Sequence, residues 1–389
     1  MLALRLARGA HPLVQLRRLL VAAASAGTGF LLLCTLGYAM GHPEASGGAA
    51  LRLAWCVAPI AATVYFAVAV ARTDPATRPR SGLSAVGLGP AKLTVLAAIS
   101  TAVACSLGSM VALLFFLHLR GDLTGLPFDG AAAELLAAGT PLPLAAALTL
   151  LTLVPLTASV ASALVLRPRP AKPAAEREQD APERPDAPAT APSGLPWGVA
   201  LLAAGLAVEM YASRAGGDSG LAMPGGLTGS PEGVLAGWGL TALGLAVAGP
   251  GLTHLCGRIL QAVRPGAMRL LAGRTLQEEA RRIGRPLGVL CAVASGGYAA
   301  LTLYSGDRPD IGPLTTLGSL LVVGCAVLTL ATAAIEAKNA RSDTTAALLQ
   351  LGAPVAMLRG SAALRAGALA AVFGPLTWMV AELAALPLI

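Results

Sequence analysis

Charge is scarce in this chain. Asp, Glu, Lys and Arg together make up 12% of its 389 residues, about half the share of a soluble domain. With 55% hydrophobic residues and a mean hydropathy of +0.70, that scarcity excludes an ordinary soluble globule. Histidine is scarcer still, and none of the four (His11, His42, His118, His254) is embedded in a catalytic motif. The six cysteines (Cys34, Cys56, Cys105, Cys256, Cys291, Cys325) lie within or at the ends of apolar stretches and lack metal-site spacing. Neither a disulfide framework nor a metal centre is expected from them. A phosphate loop is missing too: Gly87-Leu-Gly-Pro-Ala-Lys92 has neither the GxxxxGK[ST] spacing nor a preceding strand. No cofactor and no catalytic residue is expected, so the chain reads as a non-enzyme, and any ATP it uses would be hydrolysed by another protein.

What the chain does have is long apolar runs. Nine stretches approach or exceed the roughly 17 residues needed to cross a hydrocarbon core: 19–40, 50–70, 93–117, 142–166, 197–211, 233–256, 286–304, 314–335 and 362–386. Backbone groups in lipid must pair within their own segment, so these are expected to be helices. The fold class is an all-α polytopic membrane protein with about nine to ten transmembrane helices and no large extracellular domain. The run at 19–40 is longer than a signal peptide and is followed by many others, which makes it a retained first span.

The net charge of +8 raises nucleic acid as a partner, and the placement of the charges answers against it. Loops 1–18, 71–92, 167–196, 257–285 and 336–361, with Arg365, hold 24 of the 28 Lys and Arg residues, leaving Arg52, Arg120, Arg214 and Arg308 elsewhere. The acidic residues divide about evenly. That pattern is the positive-inside rule, with these loops and the N-terminus in the cytosol. The basic excess is topology, and the lipid bilayer is the first partner.

One composition boundary divides the chain. Residues 167–196 are Pro-rich, charged and without aromatics, the signature of a disordered linker. Residues 1–166 then form a first repeat of four spans, 197–256 two connecting spans, and 257–389 a second repeat. Each repeat opens on a basic amphipathic stretch. The first is Leu2-Ala-Leu-Arg-Leu-Ala-Arg8 through Gln15-Leu-Arg-Arg-Leu19. The second is Met268-Arg-Leu-Leu-Ala-Gly-Arg274 through Ala280-Arg-Arg-Ile-Gly-Arg-Pro286. Both are expected to lie as helices at the cytosolic interface. The order basic helix, span, outer loop, span, basic loop, span recurs at an offset near 265–268, a common way to build a transporter.

Several smaller features have structural explanations. Gly217-Asp-Ser-Gly220 resembles a serine-protease tetrapeptide but sits in a Gly-rich outer loop and reads as a turn. Glu209 and Glu382 lie near outer span ends, where a carboxylate marks an ion or substrate path or reaches headgroups and water. Pro59, Pro155, Pro250 and Pro375 read as packing kinks. Gly233-Val-Leu-Ala-Gly237 is a GxxxG site that reads as internal packing.

The strongest functional signal is a repeated loop element. Gly82-Leu-Ser-Ala-Val-Gly-Leu-Gly-Pro-Ala-Lys-Leu93 returns in outline as Ala347-Leu-Leu-Gln-Leu-Gly-Ala-Pro-Val-Ala-Met-Leu358. Charges precede each copy: Arg72, Asp74, Arg78 and Arg80 in one, Glu336, Lys338, Arg341 and Asp343 in the other. A short helix with an apolar side can enter a groove on a partner while neighbouring charges set its register.

The segment from Glu336 through Gly352-Ala-Pro354, set between two spans, resembles the cytosolic loop of FtsX-like ABC transporter permeases. In that family a charged stretch precedes a Leu-x-x-x-Gly-Ala-Ser/Pro turn. Arg80-Ser-Gly-Leu-Ser-Ala-Val-Gly-Leu-Gly-Pro90 is a weaker copy, and the resemblance covers about 1–117 and 268–389. It implies the permease subunit of an exporter that works with two copies of a cytosolic ABC ATPase in a bacterial plasma membrane. Export or membrane extraction of a lipophilic or peptide substrate is the implied activity. The ATPase-coupling residues would be Leu83, Val86, Gly87, Leu88 and Pro90 in one loop and Leu348, Leu349, Leu351, Gly352, Ala353 and Pro354 in the other. Arg78, Arg80, Glu336, Lys338 and Arg341 are the charges beside them. A second reading is a non-transporting scaffold or sensor that signals through the same loops.

Overall fold

A computed structural model describes residues 12–74, 89–123, 129–167, 191–214, 232–262, 266–303 and 312–385. Among these residues all regular structure is helical: α1 (Pro12–Gly41), α2 (Ser46–Trp55), α3 (Val57–Thr73), α4 (Pro90–Arg120), α5 (Leu144–Leu166), α6 (Gly194–Arg214), α7 (Glu232–Ala262), α8 (Ala267–Leu303), α9 (Pro313–Ala340), α10 (Ser342–Gln350) and α11 (Val355–Ala385). Eight helical segments, those of α1, α2 with α3, α4, α5, α6, α7, α9 and α11, are long and apolar enough to cross a membrane. The chain is an all-α polytopic membrane protein. The ninth expected run, from Pro286, forms the C-terminal half of the 37-residue α8, whose first half is basic.

The basic lead-in stretches differ from expectation. Residues Gln15 to Leu19 and Met268 to Arg285 are not separate helices but the first turns of α1 and α8. Pro286 removes one rung from the α8 ladder without breaking it. Gly284 and Gly288 hold the helix on either side, their Cα atoms pressed against the α7 backbone at Gly249, Pro250 and Leu245.

The chain divides into two compact units. The first contains α1 to α5 and α9 as far as Thr329. Its centre is the α1–α4 seam. A Cβ added at Gly108 would lie 2.2 Å from the Ala22 carbonyl oxygen, so only glycine lets the two backbones approach this closely. Beside it the Ser25 hydroxyl donates to the Cys105 carbonyl at 2.9 Å. Thr28 and Thr63 join α1 to α3 at 2.9 Å, and Ser109 donates to the Leu151 carbonyl of α5 at 3.0 Å. Small polar side chains supply the directional contacts that lipid, itself apolar, does not compete for.

The second unit contains α6, α7, α8, the remainder of α9, α10 and α11. Here α7 is the central strut. Gly237, Gly244 and Gly251, seven residues apart, meet α6, while Gly249 and Gly257 meet α8. Gly233 of the GxxxG site abuts Ala212 on α6, so that motif serves packing within the chain. The heptad of glycines was not singled out from the sequence. All six cysteines are buried and free.

Close approach at Gly108 has a measurable consequence. Gly108→Ala is expected to cost about 1–3 kcal/mol through overpacking, read as a lower unfolding temperature in detergent. Gly324→Ala, where nothing lies within 4 Å of the added carbon, is expected to leave stability unchanged or raise it by less than about 1 kcal/mol through helix propensity.

Candidate docking site

The second repeated loop folds into a short helix with a sharp end. Helix α10 stops where Gly352 adopts φ +86. The Gly352 N–H then bonds to the Leu349 carbonyl and the Ala353 N–H to the Leu348 carbonyl, both at 3.0 Å. That pair of bonds is a Schellman cap, and it needs a residue free to enter the left-handed region. Pro354 then opens the next helix, its carbonyl accepting from Met357 at 3.0 Å. The Leu-Gly-Ala-Pro tetrapeptide is therefore a helix stop followed by a helix start.

The element stands out from the rest of the chain. Helix α10 has no buried residue. Leu349, Leu351 and Val355 are exposed, Leu351 to 84%, and Leu348 is half-buried. Nine residues are too few to hold a helix in water by themselves. Three leucines and a valine at a loop tip form an apolar edge of the kind that seats in a groove.

What anchors α10 is an ion pair network at its base. Glu279, on the lead-in half of α8 and 7% exposed, meets Arg341 at 2.9 Å and Arg365 of α11 at 3.6 Å. Arg341 is the residue immediately before α10. One buried carboxylate thus links the basic half of α8, the start of α10 and α11. Removing either partner of a buried pair leaves an uncompensated charge, so the two arginines supply the counter-charge that Glu279 needs at this depth.

The first unit carries an ion pair of the same kind. Arg18 of α1 pairs with Asp74, which ends α3, and the Arg17 guanidinium donates to the Thr73 hydroxyl at 3.1 Å. Arg341 lies 267 residues after Asp74, within the repeat offset. The sign is reversed: the lead-in helix supplies the cation in the first copy and the anion in the second.

No family model, curated protein or solved structure matches the chain.

The other expected site residues divide as follows. Leu83, Val86, Gly87, Leu88, Arg78 and Arg80 lie outside the described residues. Pro90 is the first residue of α4, and Gly89 is its N-cap in an extended conformation, the usual place for proline in a helix. Glu336 and Lys338 occupy the last turns of α9, where Lys338 is exposed. Glu279 and Arg365 were missed as site residues. The one local signal was a pair of adjacent acids, Glu278 and Glu279, in the basic first half of α8, and nothing in the sequence told which of the two is paired.

Two further carboxylates, Glu209 and Glu382, lie outside the loops. Glu209 does not reach headgroups or water: it is fully buried between α6 and α7, where the Trp238 indole N–H donates to it. Its second oxygen has no partner among the described residues. Glu382 is exposed and accepts from the Tyr298 hydroxyl at 3.0 Å. Among the described residues no group of His, Cys, Asp and Glu is disposed to hold a metal.

Cutting the latch tests its role. Glu279→Ala is expected to raise amide hydrogen exchange across 342–353 by about tenfold, the equivalent of about 1.4 kcal/mol, while α6 and α7 keep their protection. Arg341→Glu should loosen the same segment, and the double variant Glu279→Arg with Arg341→Glu should restore part of the protection.

Proposed function

We propose that this chain is the permease subunit of an ABC transporter. It lies in a bacterial plasma membrane with its N-terminus and basic loops in the cytosol, and α10 is one of two elements that dock a cytosolic ATPase. The observation that carries the reading is α10 itself, a helix with an exposed apolar edge, a built-in stop and an ion latch to two longer helices. The segment 82–93 is the second docking element, one for each of two ATPase copies. The charge bias of the loops, the duplicated order of elements and the paired latches all support the same arrangement.

The mechanism follows from the latch. Nucleotide binding closes the ATPase pair and shifts the grooves that hold the two loops. Displacement of α10 pulls on Arg341, and Glu279 passes the force to α8 and, through Arg365, to α11. A membrane bundle packed through small residues has a few discrete arrangements rather than a continuum, so a small shift at the loops selects another packing of the spans. Docking energy that differs between nucleotide states is what moves the equilibrium. The passenger is a lipophilic or peptide substrate taken from the membrane. Hydrolysis belongs to the partner, and this chain contributes no catalytic group.

A non-transporting sensor that signals through the same loops is the second reading. The short outer connections favour it: α1 reaches α2 through residues 42–45 alone, which leaves little surface for substrate capture outside the bilayer. Reconstituted vesicles that turn over ATP without moving any amphiphile would identify the sensor.

Leu351→Asp tests docking. Because Leu351 is 84% exposed, the substitution leaves folding intact, and co-purification with the ATPase is expected to fall by about tenfold or more, as for a central interface leucine. Unchanged ATPase binding in a variant carrying Leu351→Asp and lacking 82–93 would overturn the docking assignment.

A further inference from the structure

The seam between the first and third spans exists twice, and the two copies differ in one respect. In the first repeat α1 and α4 close tightly at Gly108, and Ser25 bonds to the facing backbone. In the second repeat α8 and α11 are also joined by a serine, Ser295, which donates to the Thr377 carbonyl at 3.1 Å. Gly374 stands 266 residues after Gly108, yet nothing lies within 4 Å of a carbon added there. Instead of a closed seam, the second copy holds a groove of about 420 Å³ lined by Cys291, Ala294, Tyr298, Gly374, Thr377 and Trp378 among others. Volumes of a few hundred cubic ångströms are those of small-molecule sites.

The polarity of the groove is graded along its length. Its walls run from Leu290 to Tyr298 on α8 and from Phe373 to Ala381 on α11, about 12 Å at the helical rise. Apart from Thr377 they are apolar until the end remote from α10. There the Tyr298 hydroxyl is hydrogen-bonded to the exposed carboxylate of Glu382, and Trp378 stands exposed at the rim. Tyr298 is five residues from the described end of α8 and Glu382 three from that of α11. That is the depth at which aromatic and ionised groups meet lipid headgroups.

We propose that this groove is a binding site for a single-chain amphiphile with a cationic head group, its alkyl tail along Gly374 and Ala294 and its cation at Glu382. A neutral lipid tail would satisfy the walls equally well, but it adds no counter-charge to a carboxylate that has none among the described residues. A cationic head supplies one, and the Tyr298 hydroxyl orients the acceptor. An anionic head is repelled. The proposal names the class of passenger, and only its role as passenger rests on the permease reading.

The test is photolabelling of the full chain, without an ATPase, in phosphatidylcholine nanodiscs. The probe is a dodecyl trimethylammonium bearing a diazirine on its tail, with labelled positions read by peptide mass spectrometry. Saturable labelling is expected within 290–298 and 373–381, competed by dodecyl trimethylammonium at least about tenfold better than by dodecyl maltoside or dodecyl sulfate, the scale of one charge-assisted contact. Gly374→Leu fills the groove and should abolish labelling. Glu382→Gln should weaken it about tenfold while leaving the groove open, and serves if Gly374→Leu does not fold. Equal competition by the neutral or anionic detergent, or labelling unchanged in Glu382→Gln, overturns the proposal. Because no ATPase is present, failure of docking in the Leu351→Asp variant leaves this result standing.

Discussion

Helices in lipid gain nothing by hiding apolar side chains from one another, so the architecture depends on how closely their backbones can approach. Gly108 against Ala22, Gly249 against Gly284 and Gly288 against Leu245 are places where even a methyl group would collide with backbone. Each brings two helices together over several turns, and dispersion over the shared length supplies the attraction. Serine and threonine hydroxyls then bind carbonyls or one another across the same seams. Side-chain size at a few positions therefore decides which helices are neighbours.

Ionised groups sit where this packing ends. Each of three charged clusters among the described residues includes a residue at a helix end: Asp74 with Arg18, Arg341 with Glu279, which also meets Arg365, and Arg120 with Asp122. A pair at the boundary avoids the full desolvation of the hydrocarbon core yet is shielded enough to hold its geometry. Glu209 is the exception, a buried carboxylate held by one indole N–H between two glycine-packed helices.

Much of this was legible from residue order. Apolar runs longer than a bilayer is thick mark spans without reference to any neighbour, and eight of the nine expected runs coincide with helices long and apolar enough to cross. The ninth, diluted by its basic lead-in, was legible as an apolar run but not as a separate helix. The Gly352 stop was visible too, since glycine before Ala-Pro at the end of a leucine-bearing stretch has few other uses. Glu279 was not legible. Its importance comes from two arginines 62 and 86 residues later, and nothing local distinguishes it from its neighbour Glu278.

By itself the sequence determined that the chain is a helical membrane protein, where its basic loops fall and that one loop pattern occurs twice. Those properties depend on composition within a window of about twenty residues, the length of one span. Tertiary structure decided that α1 and α4 close tightly on each other while α8 and α11 leave a groove, since Gly108 and Gly374 are the same residue with different surroundings. It also decided that the described lead-in residues, 15–19 and 268–285, are continuous with the helices that follow and are joined to distant loop residues by ion pairs of opposite polarity, while residues 2–8 lie outside the described residues. Contacts between residues dozens to hundreds of positions apart set these features, and an unaligned sequence carries no record of which distant residues meet.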